Sequence, residues 1–346
     1  MKQQMRVALS ISLAMLLVPA AVSAAIAGGP SSNPVIHRLP LGGPGGWDYL
    51  AVDVPHHRLF VSRGDRVMVV DLSTQKLEAT MTGTDGVHDI AFAPEMHRGF
   101  TSNGRSASVT VFDLDSLKTI DTITGTDDSP DAILYDSASH HVLTFNGHGE
   151  SVSVIDPQKN AVVDTIALPG KPEFAQADGA GHVYVNIEDK SELVELDSLH
   201  NTVLHTWPLA PCESPSGLAL DGARHRLFSV CGNQLMAVTD ASTGEVAATV
   251  PIGKGPDAVV FDAANEMIYI SNGESGTLTI VHQDDADHYT VRATIPTQLG
   301  ARTLALDPVH HRLYLPTASF ETGKDASGRP KMKSGSFVLL AVDQPY

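Results

Sequence analysis

Val52-Asp53-Val54-Pro55-His56-His57-Arg58-Leu59-Phe60-Val61-Ser62 states a phrase: an apolar residue and an aspartate, a turn, then a short β-prone run. It returns as Tyr135-Asp136 with Val142-Leu143-Thr144-Phe145, as Leu220-Asp221 with Arg226-Leu227-Phe228-Ser229, and as Leu306-Asp307 with Arg312-Leu313-Tyr314-Leu315. Weaker copies complete a series of anchors at Asp53, Ala93, Asp136, Asp178, Asp221, Asp262 and Asp307, spaced 40 to 45 residues apart. A second series, Asp71, Asp113, Asp156, Asp197, Asp240, His282 and Asp343, ends apolar runs at the same period until its last, longer interval. A period in the low forties filled with short strands is the mark of a propeller blade. The chain is therefore expected to be all-β, a seven-bladed β-propeller of four-stranded blades.

The first repeat divides into strands Asp48–Asp53, Leu59–Ser62, Val67–Asp71 and Leu77–Met81, counted outward from the axis. The chain stops on the third strand of its last repeat, Phe337–Asp343, which leaves that blade one strand short. Val35–Gly42 has the pattern of an outermost strand such as Val162–Pro169. An N-terminal strand completing the last blade would close the ring and remove an open sheet edge. The long last interval marks an insertion, at about 320–336, that carries Lys324, Arg329, Lys331 and Lys333 against Glu321 and Asp325.

Leu59-Phe60-Val61-Ser62, Val183-Tyr184-Val185-Asn186 and Tyr269-Ile270-Ser271-Asn272 resemble the name-giving segment of the YVTN-repeat β-propeller family. The resemblance spans nearly all of the chain beyond its leader and implies the seven-bladed fold. It leaves function open, because propellers host binding, catalysis and scaffolding alike. Trp47-Asp48 begins an innermost strand and is not the WD40 dipeptide, which ends a third one.

Lys2 and Arg6 precede the apolar stretch Val7–Val18, and Ala21-Val22-Ser23-Ala24 offers small residues for cleavage. These features predict a signal peptide over 1–24, a linker over 25–34 and a single propeller domain over 35–346, exported to the periplasm. The formal net charge of −17 disfavours nucleic acid and anionic membrane surfaces as partners. No later run is apolar enough for membrane insertion, and a monomer is expected. The two cysteines, Cys212 and Cys231, fall on loops of one face of a single repeat, where a disulfide bond is geometrically sensible.

Propeller geometry gathers the first residues of the innermost strands around the mouth of the central channel. These are Trp47-Asp48, His88-Asp89, Pro130-Asp131, Pro172-Glu173, Pro215-Ser216, Pro256-Asp257 and Ala301-Arg302. Carboxylates converging there repel, so some must be protonated, paired with Arg302 or His88, or neutralised by a bound cation. Ligand binding is thus expected at Trp47, Asp48, His88, Asp89, Asp131, Glu173, Asp257 and Arg302. Asp48, Asp89, Asp131, Glu173 and Asp257 are the candidate ligands for a divalent cation such as Ca²⁺. The competing reading is that each acid caps its own turn.

The leading expectation is a protein that binds a small molecule, a cation or a periplasmic protein partner at this acidic mouth. The alternative is a metal-assisted lactonase, hydrolase or lyase, with His88 or Asp89 as base and Arg302 stabilising an oxyanion. No nucleophile elbow, phosphate loop or dinucleotide fingerprint is present in the sequence. Histidines recur at the turn after the innermost strand (His56-His57, His97, His140-His141, His182, His225, His310-His311), spread around the opposite face and too dispersed to share one ion. His148 joins His88 on the mouth side.

Overall fold

Runs of β-branched and aromatic residues, cut by turns rich in Gly, Asn and Asp, fold as antiparallel strands in the computed structural model. The structure describes residues 34–324 and 330–343, with Met1. The predicted signal peptide, the linker as far as residue 33 and 325–329 of the insertion lie outside the described residues. Among the described residues the one helical element is a short 3-10 turn at Pro94–Met96, and no helix is long and apolar enough to cross a membrane.

Four sheets of four consecutive strands each cover Pro130–Ala167, Pro172–Pro208, Pro215–Pro251 and Pro256–Pro296. A fifth joins the two ends of the domain in the order Ile36–Pro40, Val338–Asp343, Arg312–Thr317, Ala305–Asp307. Ile36 faces Val342 and Leu39 faces Leu339, so the N-terminal strand does complete the last sheet. The first two repeats depart from expectation. Where separate strands were predicted, Lys76–Ala93 runs unbroken as the outer strand of one repeat and the inner strand of the next, making a seven-stranded sheet. Gly83 and Gly86, at φ +87° and +76°, let the chain bend without losing its pairing, and Gly64 pairs with Val87 across the junction.

Middle strands are sandwiched between neighbouring sheets and bury both faces, which explains their unbroken apolar runs. Leu59, Phe60 and Val61 are fully buried in succession, whereas the outer strand Thr119–Thr124 is exposed at five of its six positions. Phe60 packs on Phe92 and Phe112 at 5.1 and 5.5 Å between ring centroids, joining successive repeats. Gly99 permits that contact, because a Cβ there would lie 2.1 Å from the Phe112 ring. Each such ring contributes about 2 kcal/mol of burial. The innermost strands touch in cyclic order, Leu50–Asp53 meeting both Lys76–Ala93 and Ala305–Asp307. Cys212 and Cys231 form the expected disulfide bond, with Cα atoms 5.4 Å apart.

Candidate functional site at the channel mouth

Register shifts recur at the start of the innermost strands. In pairing with the second strand, residues are skipped between Val87 and Ile90, Pro130 and Ile133, Pro172 and Ala175, Pro215 and Leu218, and Pro256 and Ala258. His88, Asp89, Asp131, Glu173, Ser216 and Asp257 all stand on these bulges, which re-aim side chains out of the pleat. Serines at or next to the end of the second strand hold the backbone at the mouth. Ser62 Oγ accepts from Asp48 N at 3.1 Å and donates to Tyr49 O at 2.9 Å, Ser102 Oγ accepts from Asp89 N at 3.1 Å, and Ser271 Oγ donates to the Arg302 carbonyl. The loop leading to Trp47 is fixed by the fully buried Arg63. Its guanidinium donates to the carbonyls of Gly42, Gly43, Pro44, Gly45 and Gly46 and lies 3.5 Å from the Phe337 ring centre.

Trp47, Asp48, His88, Asp131, Glu173, Asp257 and Arg302 together line one cavity of about 700 Å³. Arg302 donates to Asp48 Oδ1 at 3.1 Å, to the Trp47 carbonyl at 2.8 Å and to Asp257. His88 Nδ1 bonds Asp48 Oδ2 at 2.6 Å and stands 3.5 Å from Asp131 Oδ1. Burial pushes the Asp48 carboxyl up, but Arg302 and the His88 bond outweigh it and hold the pKa below the usual range. Burial pulls His88 down, yet the Asp48 bond and the charges of Asp131 and Asp48 raise it to about 9. It is therefore an imidazolium at neutral pH. Burial raises Asp131 to about 6, with Asp48 and Asp257 adding to the rise against His88. Glu173 rises to about 8 through burial and Asp131, and Asp257 is raised by burial against the pull of Arg302.

Asp89 is the expected rim residue that does not line the cavity. It is 5% exposed and accepts from Ile90 N at 2.8 Å and Ile133 N at 3.3 Å; burial pushes it up to about 8. Capping thus describes Asp89. Among the described residues, the side chains of Asp48, Asp131, Glu173 and Asp257 accept no backbone N–H bond. Of the five candidate metal ligands, Asp48 and Asp131 come together with His88, one donor atom from each lying within 4.8 Å of the others. His148 is exposed outside the cavity.

Two polar lining residues, Lys171 and Tyr49, were not foreseen from sequence. Lys171 bridges Glu173 and Glu188 at 2.5 Å each, and its one signal was its place beside Pro172-Glu173. Tyr49, 6% exposed, packs on Phe174 at 4.8 Å and forms the floor. The insertion reaches the mouth as well. Phe320–Lys324 and Pro330–Met332 pair as a hairpin that presents Phe320, Pro330 and Met332 to the cavity, while Lys331 is spent on Glu321 at 2.6 Å. Among the described residues, its apolar side meets the mouth.

Comparison with solved structures places the fold. Hydrazine synthase of Kuenenia stuttgartiensis is similar with a TM-score of 0.67 at 18% identity, over 80% of this chain and 92% of that one. The WD40 repeats of RRP9 match with a TM-score of 0.77 at 13% identity, over 90% and 99%. U3-55K gives 0.76 at 13%, over 88% and 98%. No family model and no curated protein matches the chain. At such identities the likeness is one of fold. The chain is an all-β protein of repeated four-stranded sheets, of the β-propeller kind.

Proposed function

We propose that this chain is an exported, seven-bladed propeller of the YVTN-repeat type that captures a small ligand at the mouth of its channel. One observation carries the reading. Acids from four repeats share one cavity, and among the described residues their side chains lack the backbone donors that would make them structural. Groups kept at such cost in a concave site mark function more often than architecture. The test is a thermal-melt screen of a metabolite library against the wild type and the Asp131→Asn/Glu173→Gln/Asp257→Asn variant. A ligand should raise the wild-type Tm by a few degrees and leave the variant unmoved. A library without a single wild-type-specific hit sinks the reading. Export is tested by N-terminal sequencing of protein recovered from the periplasm, with cleavage expected after residue 24.

The cluster of Asp48, His88 and Asp131 favours a second reading, a divalent cation supporting hydrolysis or lyase chemistry. It requires the ion to displace the His88 proton and the Asp48 bond. Of the residues assigned to catalysis, Asp89 does not line the cavity and Arg302 is already engaged by two carboxylates and a carbonyl. Binding therefore fits the geometry better than catalysis. Melts with EDTA, Ca²⁺ and Zn²⁺ decide the matter: an ion-dependent Tm abolished by Asp131→Asn would reverse the preference.

A further inference from the structure

The mouth is polarised across its width. Arg302 and His88 neutralise Asp48 and Asp257 on the side where the first and last innermost strands meet. The hydrophobic residues gather on that same side. Trp47 lies 6.2 Å from Phe320 and 5.6 Å from Phe337 between ring centroids, and Pro330 and Met332 of the hairpin join it. Phe320 is seated over Gly300, where a Cβ would lie 2.8 Å from the ring. In the cyclic order of strands, Pro130–Asp136 and Pro172–Ala177 stand opposite. Among the described residues, they bring Asp131, whose one ion-pair partner is His88 at 3.5 Å, and Glu173, which shares Lys171 with Glu188.

An independent observation comes from the floor. Tyr49 is more than nine-tenths buried and lines the cavity, and its hydroxyl has no hydrogen-bond partner among the described residues. Burial and the charges of Asp257, Glu173, Asp131 and Asp48 hold it well above the ordinary phenol range, so it stays a neutral hydroxyl with its oxygen free to accept. One wall thus supplies under-compensated carboxylates, the floor a free hydroxyl, and the far wall aromatic and thioether surface.

Resting on the reading of the mouth as a ligand site, we propose that its ligand is an amphipathic primary ammonium: a protonated amine carried on a flat apolar body. An ammonium group has three N–H donors and no acceptor. Asp131, Glu173 and the Tyr49 hydroxyl are three acceptors at one cavity. The body lies against Trp47, Phe320 and Met332, where aromatic packing and burial add to the charge. A metal ion would leave the apolar wall unused, and an anion would meet unpaired acids.

The probes are phenethylammonium, its neutral isostere 2-phenylethanol, its anionic counterpart 3-phenylpropionate, and Ca²⁺. The chain has two tryptophans, so Trp207→Phe leaves Trp47 as sole fluorescence reporter. Phenethylammonium should perturb Trp47 emission with at least a tenfold lower Kd than phenylethanol, and phenylpropionate and Ca²⁺ should be silent. Asp131→Asn and Glu173→Gln should each weaken the ammonium and leave the alcohol unchanged. If the alcohol or the carboxylate binds as well as the ammonium, the class is wrong while the mouth stands as a binding site. If no probe binds yet the library screen finds a rim-dependent ligand, the class is again overturned. If the screen also fails, the site falls with it.

Discussion

Asp131 and Asp136 stand at the two ends of one strand, Pro130–Asp136, and their carboxyls meet opposite fates. Asp136 is completely buried, yet it accepts from Ser139 N at 2.9 Å, Ser139 Oγ at 2.7 Å, Ser198 Oγ at 2.6 Å and Ala138 N at 3.3 Å. Burial works against its ionisation, but those donors prevail and its pKa lies below the usual carboxylate range. Asp131 keeps more solvent and fewer donors, and it rises to about 6. The contrast recurs on Pro256–Asp262, where Asp262 accepts from Ala264 N at 3.2 Å and Asn265 Nδ2 at 2.9 Å while Asp257 is raised. The turn acid has backbone and hydroxyl donors to offset its burial, and the mouth acid lacks them. One end uses acids to tie turns through backbone donors, and the other sets them around a cavity with Arg302, His88 and Lys171 as partners.

The largest expected effect comes from removing a turn acid. Asp136→Ala strands two backbone N–H groups and the Ser198 hydroxyl of a later repeat, and should cost about 3 kcal/mol in urea unfolding. Asp131→Asn should cost less than about 1 kcal/mol or stabilise. Equal losses at both positions would erase the distinction between the two ends.

Next in size is the pH dependence. Asp131, Glu173, Asp89 and His88 all have folded pKa values above their ordinary ones, so between about pH 5 and 9 the folded state binds more protons than the unfolded state. Their contribution is fully present at the acid side and is lost as pH rises through about 6 to 9. The lowered groups, Asp48, Asp136 and Asp307, work the other way and lose their contribution as pH falls below the ordinary carboxyl range. Stability should therefore peak near pH 5 and fall toward pH 9, as melts across that range would show. Glu173→Gln should flatten the alkaline limb and gain up to about 1 kcal/mol near pH 8. A profile rising toward pH 9 would mean that the mouth acids are ionised and already satisfied.

The repeated sheets and the pairing of Ile36–Pro40 with Val338–Asp343 were legible in sequence, because strand periodicity and turn residues are local signals copied from repeat to repeat. The rim was half legible. Position in the repeat identified Asp48, His88, Asp131, Glu173, Asp257 and Arg302, since the innermost strand starts at a fixed place in the phrase. The direction of a carboxyl was not legible. Asp89 follows His88 directly and shares its bulge, but it accepts from Ile133 on the next strand, a contact made between repeats. Lys171 and Tyr49 escaped notice because nothing in a single repeat marks a lysine or tyrosine as facing an axis that exists only once the ring closes. The hairpin's apolar face escaped for a different reason: counting its charges said nothing of which side they occupy.

The smallest expected effect concerns the turn histidines, which look in sequence like metal ligands. His57, His97, His140, His225 and His311 occupy left-handed backbone, at φ between +50° and +57°. Histidine is among the side chains that tolerate this conformation, so the repetition reflects a turn geometry. His225 is the cleanest case: its side chain is exposed and makes no hydrogen bond among the described residues, while its carbonyl accepts from Ala241 N at 3.0 Å. His225→Gly removes the steric cost of left-handed backbone, about 1–2 kcal/mol, and adds roughly 0.5–1 kcal/mol of unfolded-state entropy. The net should be a gain below about 1 kcal/mol in urea unfolding, with the response to Zn²⁺ unchanged. A loss larger than that, or a Zn²⁺-dependent Tm that disappears with the substitution, would show that this end of the channel also keeps side chains for a ligand, and the division between the two ends would fail there.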